Sequence, residues 1–559
     1  MNMKFNKCII LPCLMLILGM QAIGQTKKSK EISHLQKRGE ATQLIVDGKP
    51  FLILGGELHN SSTSSLSYMQ PILPYLSSIH LNTTLAAISW DLSEPKEGQY
   101  DFTLVDGLLK QARQNNMRLI LLWFGSWKNG LSHYVPDWVK SDYKRFPRVK
   151  LADGNATETI SPFCTEAKNL DAKAFAALMK HLYQNDAERT VIMVQVENEV
   201  GVIGASRDHS IAANNEFLKQ VPESFLAYIK KNESQLQPEL KSKWNENGSL
   251  NSGTWSQVFG NGYRTDEIFM AYQYATYIDA VAAAGKAEYD LPMFVNAWIV
   301  QPEDHMPGNY PSGGPQSINH DIYRMAAPHI NILSPDIYLP DFKDIAQLYA
   351  HDWNPLFIPE SFSDSIGVAS AFYTVGFHKG IGYSPFGIDG IRGKQISGGD
   401  KLSKGYKVLS EMMPKITEAQ SAGTITAVYL KEDKPEQTIV LGDYKIDVAL
   451  RKTRGEKSKL KMGYAIIINT SKNEYILAGE GLQFTFSPIT PGPKTAGFAS
   501  VYEGSFSNGQ WVEGRKLNGD NIMLNYILAD EAAQNKTGSV ARFESDDPEV
   551  LKVQLYRFE

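Results

Sequence analysis

Cysteine is almost absent: three occur in 559 residues. Two of them, Cys8 and Cys13, sit in an apolar N-terminal run, Cys8 to Met20, preceded by Lys4 and Lys7 and followed by Gln21-Ala22-Ile23-Gly24. That layout is one of a cleaved export signal, with cleavage expected near Gly24. Cys164 is then the one remaining thiol, so no intrachain disulfide is expected, and a lone cysteine reads as inert packing. The small residues of a lipoprotein signal are missing before either signal cysteine, which favours a periplasmic or secreted protein without a lipid anchor. Long hydrophobic runs are missing too. The N-terminal run falls short of the ~20 residues of a spanning helix, and no later stretch reaches that length.

Charge of one sign is equally scarce. Lys and Arg number 56 against 61 Asp and Glu, a net charge of -5, which offers nucleic acid or an anionic membrane no broad attraction. The 11 histidines are scattered, with no His-Glu-x-x-His, and there is no Cys pair, phosphate-binding glycine loop or internal repeat. No metal and no cofactor is therefore expected. Nothing in the sequence fixes an oligomeric state.

What is present is the composition of a globular protein, 43% hydrophobic and 21% charged, too long for one ordinary domain. After a charged segment expected to be a mobile leader (25–42), Asp47-Gly48 between two apolar runs signals a hairpin. Eight short apolar runs then alternate with helical patterns: Phe51 to Gly55, Asn82 to Trp90, Arg118 to Gly125, Val191 to Glu199, Met293 to Ile299, Asn331 to Tyr338, Leu356 to Glu360 and Ile381 to Phe386. Eight βα units close a (β/α)8 TIM barrel, here over residues 43–420. Two long connections, Trp127 to Asn169 and Val200 to Thr265, follow strand ends on the face where such barrels build pockets. From Ser421 the pattern becomes β-rich without helices, predicting a C-terminal all-β, sandwich-like domain over 421–559. Thr438 to Leu450 reads as one of its strands, and Asn508-Gly509 and Asn518-Gly519 as turns.

The stretch Val191-Ile-Met-Val-Gln-Val-Glu-Asn-Glu-Val-Gly201 is a buried-strand pattern that ends in carboxylates. Pro355-Leu-Phe-Ile-Pro-Glu360 repeats that design. Burying a carboxylate is costly unless it is paired, so acids at strand ends line a wet mouth. Two of them, at strands four and seven, are what glycosidic cleavage needs: one acid to protonate the leaving oxygen and one carboxylate to attack.

These residues resemble the large barrel clan of retaining glycosidases. Asp47-Gly-Lys-Pro-Phe, Gly55-Gly-Glu-Leu-His59, Trp90-Asp-Leu-Ser-Glu-Pro-Lys-Glu-Gly-Gln-Tyr-Asp-Phe102 and Val194-Gln-Val-Glu-Asn-Glu-Val-Gly201 narrow this to glycoside hydrolase family 35. Glu360, Gly497-Phe-Ala-Ser-Val-Tyr-Glu-Gly504 and Gly514-Arg-Lys-Leu-Asn-Gly-Asp520 add a bacterial subgroup with a distinctive C-terminal β domain. The resemblance implies Glu199 as acid/base, Glu360 as nucleophile, Asn198 on the sugar 2-hydroxyl and Tyr338 steadying the nucleophile. It implies a retaining, exo-acting β-galactosidase that degrades oligo- or polysaccharides.

The chain also departs from the family. Ala87 stands where members carry Tyr, Ser93 where they carry His, and Leu122-Trp-Phe-Gly-Ser-Trp-Lys-Asn-Gly130 replaces an Ala-Glu-Trp loop. Trp127, Lys128 and Asn129 are the expected replacement contacts, with Trp298 as a further platform. These departures keep a β-arabinosidase or β-glucosidase open, and a carbohydrate-binding barrel without catalysis is the reading from a different class.

Overall fold

The computed structural model describes residues 1, 30–301, 303–391, 399–451, 460–507, 509–517, 523–524 and 539–559. Apart from Met1, the expected signal (1–24) lies outside them, as do Asn508 and the Asn518-Gly519 turn. The charged segment expected to be mobile is in part a strand: β1 (His34–Arg38) pairs with β2 (Ala41–Val46), which pairs with β3 (Lys49–Phe51). The β2–β3 turn is the Asp47-Gly48 hairpin, with φ of 51° and 75° at its two residues. Such left-handed pairs match the twist of the flanking strands.

The barrel follows as β4 (Ile53–Glu57), β5 (Thr83–Ser89) and β6 (Arg118–Lys128). A small hairpin in the next connection, β7 (Arg148–Lys150) and β8 (Ala156–Ile160), leads to β9 (Val191–Asn198) and β10 (Met293–Trp298). Then come β11 (Ile332–Asp336), β12 (Phe357–Ile358) and β13 (Gly382–Tyr383). The order β11-β10-β9-β6-β5-β4-β13-β12 is parallel throughout. Ile337 closes the ring against Ser361, and its N–H donates to the Glu360 carbonyl at 3.0 Å. All eight expected strands are barrel strands.

Inward residues fill the barrel: Ile53, Leu85, Ile120, Leu122, Phe294, Ile332, Phe357 and Ile381 form one cluster with Leu44 and Val46 of β2. The β2–β3 hairpin therefore plugs the N-terminal end, and chemistry is left to the C-terminal end. The interior face is dry because these side chains meet there, and the outer face is dry because helices such as Thr165–Asn185 and Tyr263–Glu288 cover it. Strands buried on both faces need the continuous apolar runs seen in the sequence.

The C-terminal residues form two sheets, as expected of a sandwich. One holds β14 (Ile425–Lys431), β17 (Met462–Ser471), β18 (Glu474–Glu480), β20 (Thr495–Ser507), β21 (Gln510–Leu517) and β24 (Glu549–Phe558). The other holds β15 (Glu436–Leu441), β16 (Tyr444–Leu450), β19 (Leu482–Pro488), β22 (Met523–Leu524) and β23 (Ser539–Arg542). The single strand expected over Thr438 to Leu450 is instead the β15–β16 hairpin. Leu441 faces Tyr444, and Gly442 at φ 59° makes the two-residue turn that a continuous strand reading overlooks.

The six-stranded sheet turns its other face to the barrel. Ala427, Tyr429, Tyr464 and Ile466 share the barrel's outer core with Ala371 and Phe372, and the Phe372 and Tyr464 rings lie 4.8 Å apart. Gly376 permits this approach, since a Cβ there would meet the Ala427 Cβ at 2.6 Å.

The helix Gly399–Ala422 links the two parts and pins the barrel from outside. The Tyr406 hydroxyl lies 3.0 Å from the Gly55 carbonyl and 2.9 Å from the Tyr383 carbonyl, bridging neighbouring strands β4 and β13. Tyr406→Phe is expected to lower stability by about 1–2 kcal/mol, the cost of leaving buried carbonyls without their donor. A urea titration checks this, with a lower midpoint and an unchanged slope as the expected result.

Candidate active site

The C-terminal end of the barrel holds a cavity of about 510 Å3. Lys128, Asn129, Glu199, Trp298, Tyr338 and Glu360, six of the eight residues expected to form the site, line it. Asp336, at the end of β11, lines it too, and Asn60, Ile299, Gln301, Leu339 and Phe386 complete its wall.

The acids arrive by backbone geometry. Glu197 and Glu199 both have left-handed φ, 61° and 45°. Each such non-glycine residue costs about 1–3 kcal/mol and persists only where its surroundings over-determine it. This kink after β9 sends the two carboxylates to different fates. Glu197 turns outward, where Oε1 accepts from the Ser126 N–H at 3.1 Å and Oε2 from the Trp127 N–H at 2.7 Å. Asp171 of the helix Thr165–Asn185 reinforces that frame, accepting from Trp123 Nε1 at 2.9 Å and Ser126 Oγ at 2.7 Å. Burial, and then the neighbouring Asp171, push Glu197 well above the usual carboxylate range. Only glycine fits at Gly125, where a Cβ would lie 2.5 Å from Glu197 Oε1.

Glu199 turns inward. Its N–H donates to Asn296 Oδ1 at 3.1 Å, and Oε2 accepts from Asn129 Nδ2 at 2.5 Å. Asn296 also donates from Nδ2 to Asp336 Oδ2 at 2.7 Å and to Glu360 Oε1 at 3.4 Å, so one amide ties two carboxylates to the Glu199 backbone. Tyr338 donates to Glu360 Oε2 at 3.2 Å. An oxygen from each of Glu199, Asp336 and Glu360 lies within 4.8 Å of the others. Two ionised carboxylates at that distance repel by about 3 kcal/mol at an effective dielectric of ~20. The repulsion shows in their titration. Burial first, then Glu360, push Glu199 up to about 7, against the pull of Lys128. Burial, Glu360 and Glu199 raise Asp336 well above its usual range. Burial works against the charge of Lys128, but Glu360, Glu199, Glu57 and Asp336 outweigh it and hold the ammonium charged.

Among the described residues, Glu199, Asp336 and Glu360 form the one acidic group close enough to hold a metal. Asn296 and Tyr338 already donate to oxygens of Asp336 and Glu360, and the Lys128 charge acts on all three acids at longer range.

Two expected site residues are elsewhere. Trp127 is fully buried against Tyr274 and Tyr277, with ring centroids 4.9 and 4.4 Å away, and its Nε1 donates to the Ile160 carbonyl. The reason is a break in register. Between the pairs Trp123↔Val196 and Lys128↔Asn198, β6 advances five residues while β9 advances two. The excess chain bulges outward, carrying Trp127 into the core and returning Lys128 to the mouth. Asn198 does not line the cavity; it is buried, with both amide atoms lacking a hydrogen-bond partner. The long connection after β9 likewise spends Trp244 and Trp255 on its own packing. Cys164 is buried packing as expected, its thiol accepting from the Ala167 N–H at 3.4 Å and raised in pKa by burial.

Sequence reasoning missed Asn296, Asp336 and Glu57. Asp336 ends an apolar strand, the signal that found Glu199, and Asn296 is the polar residue inside another. Glu57 stood in view within Gly55-Gly-Glu-Leu-His59 as a polar group at a strand end.

Residues 69–270 match the model of a glycoside hydrolase family, family 42, described as beta-galactosidase. Residues 402–526 match a domain of unknown function, DUF5597. A beta-galactosidase of Xanthomonas manihotis is 28% identical over 180 residues, 32% of this chain and 28% of that protein. Beta-galactosidase 8 of Oryza sativa subsp. japonica is 30% identical over 169 residues, 29% of this chain and 23% of that protein. The chain thus spans about a quarter of the length of these curated relatives. The beta-galactosidase structure from Bacillus circulans sp. alkalophilus has a TM-score of 0.45 at 14% identity, covering 66% of this chain and 57% of that one.

Part of the barrel, residues 69–270, is thus similar to glycoside hydrolases described as beta-galactosidase. Within that type, the family whose model matches is family 42, and the family 35 resemblance is not confirmed. The matched stretch includes Glu197 to Glu199 and ends before β10, so Glu360 stands on geometry alone.

Trp127→Ala is expected to cost about 3–5 kcal/mol of stability, as a large buried aromatic does. The milder Trp127→Phe lowers the thermal midpoint and leaves KM unchanged. A raised KM at unaltered stability would return Trp127 to the cavity.

Proposed function

We propose that this protein is a retaining, exo-acting β-galactosidase, exported to the periplasm or beyond, that releases terminal galactose from oligo- or polysaccharides. One observation carries the mechanism: oxygens of Glu199 and Glu360 lie within 4.8 Å across the cavity. Retaining enzymes hold their carboxyl groups about 5–5.5 Å apart, while inverting ones need about 6.5–9.5 Å to admit a water. The compact cavity, about 510 Å3, supports action on a chain end.

In this mechanism Glu199, raised to about 7, carries a proton at working pH and gives it to the leaving oxygen. Glu360, served by Tyr338 and Asn296, attacks the anomeric carbon. Once Glu360 is esterified its charge is gone, the pKa of Glu199 falls, and Glu199 takes a proton from the incoming water. Water breaks the ester and configuration is retained. Trp298 offers the sugar an apolar face, and Lys128 and Asn129 offer polar contacts. Galactose is favoured by the beta-galactosidase matches. Ala87 and Ser93 keep an arabinoside or glucoside as the competing substrate, which a panel of aryl glycosides separates.

Glu360→Ala is expected to abolish turnover on every substrate. Glu199→Ala should keep glycosylation on dinitrophenyl glycosides, whose leaving group needs little protonation, with azide rescuing the second step. Equal losses on all leaving groups, without rescue, would remove Glu199 as acid/base.

The pH dependence has a fixed sign. Because the pKa of Glu199 is raised, the competent protonated form exists below about 7, and kcat/KM falls as pH rises through that value. In Glu199→Gln with an activated substrate this alkaline limb should vanish while the acidic limb stays. Its persistence would show that another group titrates there.

A further inference from the structure

Glu57 ends β4, two strands round the barrel from β12, just past which the proposed nucleophile stands. Its N–H donates to the Pro385 carbonyl at 2.8 Å, and the adjoining Phe386 N–H donates to the Ser361 carbonyl at 3.0 Å, so β4 and the end of β12 sit at one level. The side chain is fully buried, and no backbone or side-chain donor reaches either carboxyl oxygen. It does not line the cavity. The group within hydrogen-bonding reach is another carboxyl, that of Glu360. Lys128 and Glu199 act on Glu57 at longer range, and Asp336 and Tyr338 share its field. Two carboxylates cannot meet without a proton between them, and a buried carboxylate with no donor is among the costliest groups to leave charged. Four acids against one ammonium leave protons in this cluster whatever the pH near neutrality.

We propose that Glu57 is a positioning residue that stays protonated and donates its O–H to the carboxylate of Glu360. This rests on the reading of Glu360 as nucleophile. No proton moves: the O–H remains on Glu57 while the bond from Glu360 to the anomeric carbon forms and breaks. A hydrogen bond is stronger to a carboxylate than to an ester, so Glu57 favours departure of Glu360 from the sugar and chiefly speeds deglycosylation. Burial, followed by repulsion from Glu360, raises the pKa of Glu57 well above the usual range, in agreement.

Glu57→Leu removes the donor and keeps the volume. On a dinitrophenyl glycoside, kcat is expected to fall on the order of 10- to 100-fold, the loss of one hydrogen bond to a charged acceptor. KM should fall with it, so that kcat/KM holds. Glu57→Gln, which keeps a donor without a charge, should regain most of that loss and leave the alkaline limb of Glu199 in place. If Glu57 were ionised, Glu57→Gln would delete a negative charge near Glu199 and move that limb down by about a pH unit or more. That shift, or a Gln variant as impaired as Leu, overturns the proposal. Should Glu57→Leu not fold, neutron diffraction of the free wild-type enzyme at pH 7 decides: a deuteron on Glu57 facing Glu360 supports the idea, and its absence ends it. This last result does not depend on catalysis. Full activity in Glu360→Ala would instead defeat the proposed function and leave the protonation of Glu57 standing.

Discussion

Four carboxyl groups, Glu57, Glu199, Asp336 and Glu360, surround the Lys128 ammonium at the C-terminal end of the barrel. Everything else about the site answers that imbalance. With oxygens of Glu199, Asp336 and Glu360 within 4.8 Å of one another, these acids cannot all be charged, and the protein sorts the group by what each member is given. Glu360 receives two donors, Asn296 and Tyr338. Glu199 receives Asn129 but stays close enough to Glu360 to be pushed to about 7. Asp336 shares the Asn296 amide with its neighbours, and Glu57 receives no donor at all. Differences in donor count thus separate groups of the same chemistry into acid and base.

This arrangement demands a frame that does not yield. The pair Glu197 and Asp171 supplies it by gripping the backbone of Ser126 and Trp127 where β6 leaves its register with β9. Trp127, locked between Tyr274 and Tyr277, anchors the bulge from the core side. Lys128 can then stand in the mouth with its stem held and its charge surrounded. The left-handed residues at Glu197 and Glu199 are the strained joint between frame and site. They alternate the two carboxylates between structure and chemistry within three residues.

The sandwich is bound to the barrel through a shared apolar layer, so the two parts form one continuous core around Ala427, Tyr464 and Phe372. That layer is far in sequence from the barrel helix it covers. Its close approach depends on Gly376, whose significance no local pattern reveals.

What the sequence determined by itself was periodic. Eight apolar runs of strand length, separated by helical patterns, specify the barrel, because strands buried on both faces have no alternative composition. Carboxylates at the ends of two such runs, Glu199 and Glu360, mark the mouth, because a buried acid has to be there for a reason. Asp47-Gly48 fixed its hairpin through local φ preference alone. What only the tertiary structure decided was direction and company. A strand pattern repeats every two residues and cannot foresee a bulge of β6, so Trp127 read as a neighbour of Lys128 in the pocket when it belongs to the core. Asn296, Asp336 and Glu57 come from three different strands, and their meeting with Glu360 depends on barrel closure, a relation between residues up to about three hundred positions apart. Protonation followed from that meeting: an acid's pKa is set by the charges and donors around it in space, which sequence order does not record.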